Sequence, residues 1–352
     1  MSFIEIRQLT KQFRQAVKEP GLAGAVKHLF SQKYVDKTAV AGINLDIEEG
    51  ETVAYVGPNG AGKSTTIKML TGILVPSSGT ISVGGIDPYR NRMENARTIG
   101  AVFGQRTQLW WDIPISETFS LLKDIYEIPE PLYKRNLEQF IELLGMKDFL
   151  HLTARRLSLG QRMRADLAAA LLHNPRTVYL DEPTIGLDIA VKQRIREFIR
   201  ASNQERGTTV MLTTHDLGDI EDLCSRLVII DQGSLIYDGT LAAVKDRFAR
   251  ERVIHFQLEK ADLPALREAL DRMPKVTAEK LERQHVSLRF DRFHITASEV
   301  ASAVMRCGEV IDFRIDEPGI EHVIKQVYEG RISLDEQHAD KQTAAGTEAN
   351  RR

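Results

Sequence analysis

GPNGAGKST, residues 57–65 (Gly57, Pro58, Asn59, Gly60, Ala61, Gly62, Lys63, Ser64 and Thr65), decides how the rest of the chain is read. An apolar run, residues 52–56, precedes it. After it Ile67, Leu70 and Leu74 share one helical face. The order is therefore strand, glycine-rich turn, helix. Within the turn Gly57, Gly62, Lys63 and Ser64 have the G-x-x-x-x-G-K-[ST] spacing of a phosphate-binding loop. Glycines let successive backbone N–H groups curl around a polyphosphate, and the positive end of the following helix points at the same anion. Lys63 can reach the outer phosphates and the Ser64 hydroxyl can enter the shell of a Mg²⁺ ion.

Working outward, a chain of 352 residues exceeds one comfortable core, and two domains are expected. Hydrophobic content of 42% and charged content of 27% are those of a globular protein. No apolar run has the length of a membrane span, and residues 1–10 lack the apolar core of a signal peptide. The expectation is a cytoplasmic chain that does not itself cross a membrane. The net charge of −2 argues against wholesale attraction to nucleic acid. Two cysteines, Cys224 and Cys307, with no C-x-x-C spacing argue against a disulfide framework or a cysteine-rich zinc site.

Upstream of the loop, residues 3–9 and 40–47 read as strands. Between them Leu22, Val26, Leu29 and Phe30 fall on one helical face amid Lys18, Lys27, His28 and Lys33. This insert is either a short helix packed on its own sheet or one lying against a membrane protein or lipid interface. Downstream, residues 79–83 and 99–103 look like strands, and from about 115 to 145 helical periodicity takes over. Here Phe119, Leu122, Ile125 and Tyr126 form one face and Leu137, Phe140, Ile141 and Leu144 another. A helical subdomain, about residues 108–172, inserted into an α/β core follows from this. It runs through LSLGQ, residues 157–161, into the alanine-rich helix 162–173.

The core then resumes with the strand 177–180, which delivers Asp181 and Glu182 at its carboxyl end, where open α/β sheets bind ligands. A helix, 189–205, and a strand, 209–212, lead to Thr213, Thr214 and His215. A hairpin over 227–237 closes the first domain near Lys245. Residues 246–330 read strand, helix, strand, strand, helix, strand, the order of a ferredoxin-like α+β sandwich. A last helix is expected at 319–328, and disorder in the polar stretch 331–352.

Together these segments resemble the nucleotide-binding subunits of ATP-binding-cassette (ABC) transporters, over residues 1–245. GPNGAGKST resembles the Walker A loop and residues 177–182, TVYLDE, the Walker B segment. Gln105 in VFGQ resembles the Q-loop, LSLGQ the family signature, Leu187-Asp188 the D-loop, and His215 in LTTHD the switch histidine. The resemblance implies a P-loop ABC ATPase fold and the cofactors ATP and Mg²⁺. It implies that Ser64, Asp181 and Gln105 attend the metal, that Glu182 orients or deprotonates the attacking water, and that His215 and Gln105 sense the γ-phosphate. Ser158, Gly160 and Gln161, with Asp188, would complete the ATP site of an opposite subunit, a helix terminus again serving an anion. Leu159 stands where the common signature has a glycine. Tyr34 fits the adenine-stacking position by its spacing ahead of Ala39 and Gly42, and Phe13 fits if the insert is skipped.

A finer similarity is to the exporter branch that handles drugs and polysaccharides, whose ATPases partner a separate membrane permease. The carboxyl-terminal domain and the insert look like that branch. QLWWDIP, residues 108–114, lies where family members receive the permease's coupling helix, with Trp110 and Trp111 in the socket. The resemblance thus implies an ATPase peripheral on the inner face of the cell membrane, dimeric with itself or with a related ATPase. No nucleic-acid partner is expected. A soluble ABC ATPase acting on ribosomes or DNA is the alternative. Such relatives carry tandem cassettes or a long coiled coil, and this chain has neither. A GTPase is disfavoured because no N-K-x-D segment occurs.

Overall fold

In the computed structural model the described residues are 2–16, 34–104, 106–248 and 251–316. The insert with its helical face from Leu22 to Phe30, Gln105, the helix at 319–328 and the tail from 331 lie outside them. The chain divides into two compact units, Met1–Gly239 and Thr240–Arg352.

The first unit is built on two sheets. The strands β1 (Ile4–Ala16) and β2 (Tyr34–Ile47) pair antiparallel, and β4 (Ser78–Val83) joins the other edge of β1. The second sheet has the order β5-β6-β7-β3-β8-β9, from β5 (Ile99–Phe103), β6 (Thr177–Asp181), β7 (Thr209–Thr213), β3 (Thr52–Val56), β8 (Arg226–Asp231) and β9 (Ser234–Thr240). From β5 to β8 the pairings are parallel, and β6 and β7 are buried almost throughout. Their unbroken apolar character follows from cover on both faces. Ile4, Ile6 and Leu9 of the first sheet share one core with Val53, Tyr55, Tyr179 and Met211 of the second and with Ile67, Met69 and Leu70 of α1 (Lys63–Leu70).

Strands β1 and β2 run well beyond the 3–9 and 40–47 expected from the sequence. The cause is a bulge, in which Gln8 takes φ 48 and the pairing register shifts between Ile6 and Leu9. That interrupts the in-out alternation by which a strand is read. The short helix α2 (Arg92–Thr98), which buries only Asn95, also gave no apolar signal.

The helical subdomain is present as α3 (Ile115–Ile125), α4 (Glu130–Leu144) and α5 (Leu159–Leu171). Phe119 and Leu122 of α3 and Phe140 and Leu144 of α4 are buried as their spacing implies, whereas Ile125 is 57% exposed. Tyr126 leaves the face and stacks on His173, ring centroids 4.0 Å apart. The signature helix α5 starts at Leu159, not at 162, because Ser158 caps it. The Ser158 Oγ accepts from Gln161 N–H, and Gln161 Oε1 accepts from Ser158 N–H at 2.9 Å. This reciprocal pair satisfies two otherwise free helix donors. Two further helices, α6 (Ile189–Arg206) and α7 (Leu217–Leu223), flank β7 in sequence.

In the second unit α8 (Leu241–Phe248) is followed by β10 (Glu251–Ala261), α9 (Leu263–Asp271), β11 (Val276–Leu281), β12 (His285–Asp291), α10 (Ala297–Cys307) and β13 (Gly308–Asp316). The antiparallel sheet order β11-β12-β10-β13 is that of a ferredoxin-like sandwich. Its core joins Ile254, Phe256, Leu258 and Leu288 of the sheet to Leu266, Val300 and Val304 of the helices. His285 and His294 are on strand β12 and just after it, and His294 Nδ1 lies 3.0 Å from Asp291.

Candidate functional site

The parallel strands of the large sheet end on the same edge, and three of them hand over to loops that carry expected residues. Strand β3 runs into the loop 57–62, β6 into Glu182, and β7 into Thr214 and His215. This edge is where ligands sit in open α/β sheets. The loop's glycines are required by space. A Cβ on Gly57 would stand 2.2 Å from the Ile230 carbonyl oxygen, and one on Gly62, at φ 112, 2.5 Å from that of Ala39. So the backbone turns tightly beneath the start of α1, at the wall of a 310 Å³ cavity. Phe13, Lys37, Ala39, Asn59, Gly60, Gly62, Lys63, Ser64, Thr65 and Glu182 line it.

The Lys63 amine is nearly buried and donates to the Gly57 and Pro58 carbonyls, the latter at 3.2 Å. Burial holds its pKa below the usual lysine value, while Glu182 and Asp181 act in the opposite direction. A cationic amine, a ring of backbone donors and no blocking Cβ form a cradle fitted to a polyphosphate.

Beside it the Ser64 Oγ donates to Asp181 Oδ2 at 2.8 Å, and Thr213 Oγ1 donates to Asp181 Oδ1 at 2.6 Å. Both carboxylate oxygens are thus oriented from two sides, one by the loop helix and one by the neighbouring strand. A hydroxyl and a carboxylate brought together here are the hard oxygen donors that Mg²⁺ takes alongside waters and phosphate oxygens. Thr213 was not singled out from the sequence; its register opposite Asp181 supplies the reason.

Glu182 departs from the strand in a left-handed conformation, φ 55. Its N–H donates to the Thr213 carbonyl at 2.9 Å, which pins the turn, and its Oε1 lies 3.1 Å from His215 Nε2. A non-glycine residue in this region carries strain of about 1–3 kcal/mol, a pattern found at functional sites. Glu182 and Ser64 also border a wider cavity of 760 Å³ with Asp181, Gly104, Arg106 and His215.

Beneath the Glu182–His215 pair runs a network that the sequence did not announce. Fully buried Asp219 accepts from Thr184, from Thr214 Oγ1 at 2.8 Å and from Arg196 Nε at 2.7 Å. Arg196 also bridges Asp216 at 2.9 Å, and Lys192 binds the other Asp216 oxygen. Thr184 is two residues past Glu182 and Thr214 precedes His215, so one carboxylate ties both functional loops to α6.

The remaining expected residues are placed as follows. Asp188 caps α6, its Oδ1 accepting from Val191 N–H at 2.9 Å. Ser158, exposed, caps α5, and the half-buried Gly160 and Gln161 lie in its first turn. This turn rests on the Asp188 loop: a Cβ on Gly160 would meet Val191 at 3.4 Å, and one on Gly186 would meet Leu159 at 3.3 Å. Of the two aromatic candidates Phe13 lines the phosphate cavity. Tyr34 is half-exposed at the far end of the β1–β2 ladder, paired with Ala16.

Comparison with known proteins agrees with this architecture. The family profile described as "ABC transporter" matches residues 40–185. The ABC transporter ATP-binding protein NatA of Bacillus subtilis is 33% identical over 218 residues, 61% of this chain and 88% of that protein. The linearmycin resistance ATP-binding protein LnrL of the same organism is 30% identical over 293 residues, 82% of this chain and 93% of that protein. Other relatives carry import in their names, for sulfate/thiosulfate and for methionine. Among solved structures, a dimeric ATP-binding cassette in a post-hydrolysis state, bound to ADP and Pi, has the same fold, with TM-score 0.57 and 24% identity. The match covers 68% of this chain and 98% of that one. With the phosphate cradle, the oriented Asp181 and the Glu182–His215 pair on one sheet edge, the chain belongs to the ABC transporter family, as an ATP-binding subunit with ATPase activity.

Proposed function

We propose that this subunit hydrolyses ATP between two copies of itself and thereby drives a membrane permease that exports its substrate. The observation that carries the reading is the Glu182 carboxylate, aimed by a left-handed backbone at His215 Nε2 at 3.1 Å, one residue from the Ser64–Asp181 pair. Lys63 and the loop N–H groups bind the β- and γ-phosphates, and Phe13 stacks on the adenine. Glu182 accepts a proton from the attacking water, and the His215 Nε2, which faces the Glu182 carboxylate in the nucleotide-free chain, turns to donate toward the γ-phosphate when ATP is bound. Ser64 and Asp181, joined by Gln105, would hold Mg²⁺, which would supply positive charge against the phosphate oxygens.

Ser158, Gly160 and Gln161 present the amino end of α5 at the surface, suited to cap the γ-phosphate held by a second copy. Every nucleotide-site residue is present in this chain, which supports a homodimer with two working sites. Among the described residues no helix is long and apolar enough to cross a membrane. The conducting path is assigned to a permease. Trp110 and Trp111, both substantially exposed, offer the surface on which it docks, at the cytoplasmic face of the cell membrane. Export is favoured by the similarity to a resistance protein over 93% of that protein's length. The carboxyl-terminal unit is assigned to stabilising the dimer or regulating turnover.

The test is ATP hydrolysis and ATP-dependent dimerisation of the purified full chain, parent against Glu182→Gln. The variant should bind ATP, cease turnover and sediment as a dimer only with ATP and Mg²⁺. Unchanged turnover in the variant would overturn the assignment.

A further inference from the structure

The helix that Ser158 caps is fastened, two turns further on, to the segment that carries the exposed tryptophans. Asp166 of α5 is 5% exposed, and its Oδ1 accepts from Thr107 Oγ1 at 2.9 Å and from Gln108 N–H at 3.0 Å. Gln108 Nε2 returns a bond to the Asp166 carbonyl at 2.8 Å. Thr107 Oγ1 also accepts from Leu109 N–H at 3.1 Å, and Leu109 is buried. One turn nearer the helix start, the Arg162 guanidinium lies 4.9 Å from the Trp111 ring centroid. A carboxylate among Ala165, Leu167 and Ala168 is costly to bury unless it is hydrogen-bonded, and Thr107 and Gln108, two neighbours in one short segment, donate to it. An apolar residue would pack the same helix without that segment.

From these contacts we propose that Asp166 is a positioning residue. It locks segment 107–111 to the signature helix, so that a load on Trp110 and Trp111 moves Ser158 and Gly160 as one body with it. A helix rises 1.5 Å per residue, so the lock stands about 12 Å along the axis from the cap, within one rigid element. The inference rests on the proposed pairing of two copies around ATP, and it names the part of the chain through which docking reaches the capping turn.

The experiment uses the full chain carrying Glu182→Gln, alone and combined with Asp166→Ala, Asp166→Asn or Thr107→Val. Amide hydrogen exchange is measured on the nucleotide-free monomer, and dimerisation is titrated with ATP and Mg²⁺. Asp166→Ala should speed exchange about tenfold both at 107–109 and in the turn 159–162, the loss expected of a hydrogen bond to a charged group. It should raise the ATP concentration needed for dimerisation by a similar factor, with monomer ATP binding changed less than about twofold. Asp166→Asn, which keeps an Oδ1 acceptor, should restore both readings. Thr107→Val, which leaves the helix itself intact, should give the same pattern more weakly.

Faster exchange confined to 107–109, with the signature turn at the parent's rate in both Asp166→Ala and Thr107→Val, would overturn the lock. So would a loss of monomer ATP binding in step with dimerisation. A parent that never dimerises would count against the paired reading alone, and the exchange pattern would still decide the lock.

Discussion

The Oε1 of Glu182 and the Nε2 of His215 stand 3.1 Å apart, brought together by two adjacent parallel strands whose ends differ in backbone hand. On the proposed reading of Glu182 as the base, this contact limits how its carboxylate turns toward a water. Glu182→Gln should lower turnover by at least about 10²-fold, the usual worth of general-base catalysis, while ATP affinity stays within a few-fold. His215→Ala should lower turnover with little change in KM. A rise in KM at constant turnover would instead assign His215 to ground-state binding.

Phe13 borders the cavity that holds Lys63 and Thr65, at the register position opposite Lys37, with the Lys11 amine 5.2 Å from its ring centroid. Stacking of a base on an aromatic ring is worth about 1–3 kcal/mol per base. Phe13→Ala should therefore weaken ATP binding by about 5- to 100-fold by fluorescence titration, against a small effect for Tyr34→Ala. Equal effects of the two substitutions would remove Phe13 from the adenine site.

What was legible in the sequence is what local spacing determines. The run before Gly57 and the run before Asp181 fix two parallel strands and their carboxyl ends, and Ser64 reaches Asp181 because those ends share an edge. Phe13 was ambiguous because a strand bulge at Gln8 hides how far β1 extends toward the site. Asp219 and Asp166 were invisible for a different reason. Each is an acid on a helix, indistinguishable by pattern from a solvated one, and only long-range packing against Thr184 and Arg196, or against Thr107 and Gln108, makes it a junction. The left-handed turn at Glu182 likewise has no glycine to announce it.

Asp219 is fully buried and opposed by Arg196, whose side chain is 13% exposed. Removing Asp219 leaves Arg196 its bonds to Asp216 and Asp222 but strips the buried Thr184 and Thr214 hydroxyls of their acceptor, at a cost of about 1–3 kcal/mol. Asp219→Ala should lower the unfolding free energy by that amount in urea titrations, and should loosen both Thr184 and Thr214. Thr184→Val, which removes a single donor, should cost about 1 kcal/mol yet still reduce turnover by displacing the Glu182 loop. Full turnover in Thr184→Val would confine Asp219 to stability.

Burial pushes the Asp166 carboxyl up to about 6, against the Gln108 N–H, the Thr107 hydroxyl and the Arg162 charge that faces it, all of which favour the anion. The fold thus prefers the protonated acid. Its contribution to stability is complete below about pH 4 and is lost as pH rises through about 6. A rise of about two pKa units corresponds to roughly 3 kcal/mol. His173, buried against Tyr126 and held down to about 4, works oppositely: its contribution is present above about pH 6.5 and is lost as pH falls through 4. Between these limits the two groups act in opposite directions on the parent. Asp166→Asn removes one of them. The difference in unfolding free energy between variant and parent should therefore shift by about 2–3 kcal/mol in the variant's favour from pH 4 to pH 7. A difference independent of pH would mean that Asp166 keeps its charge throughout this range.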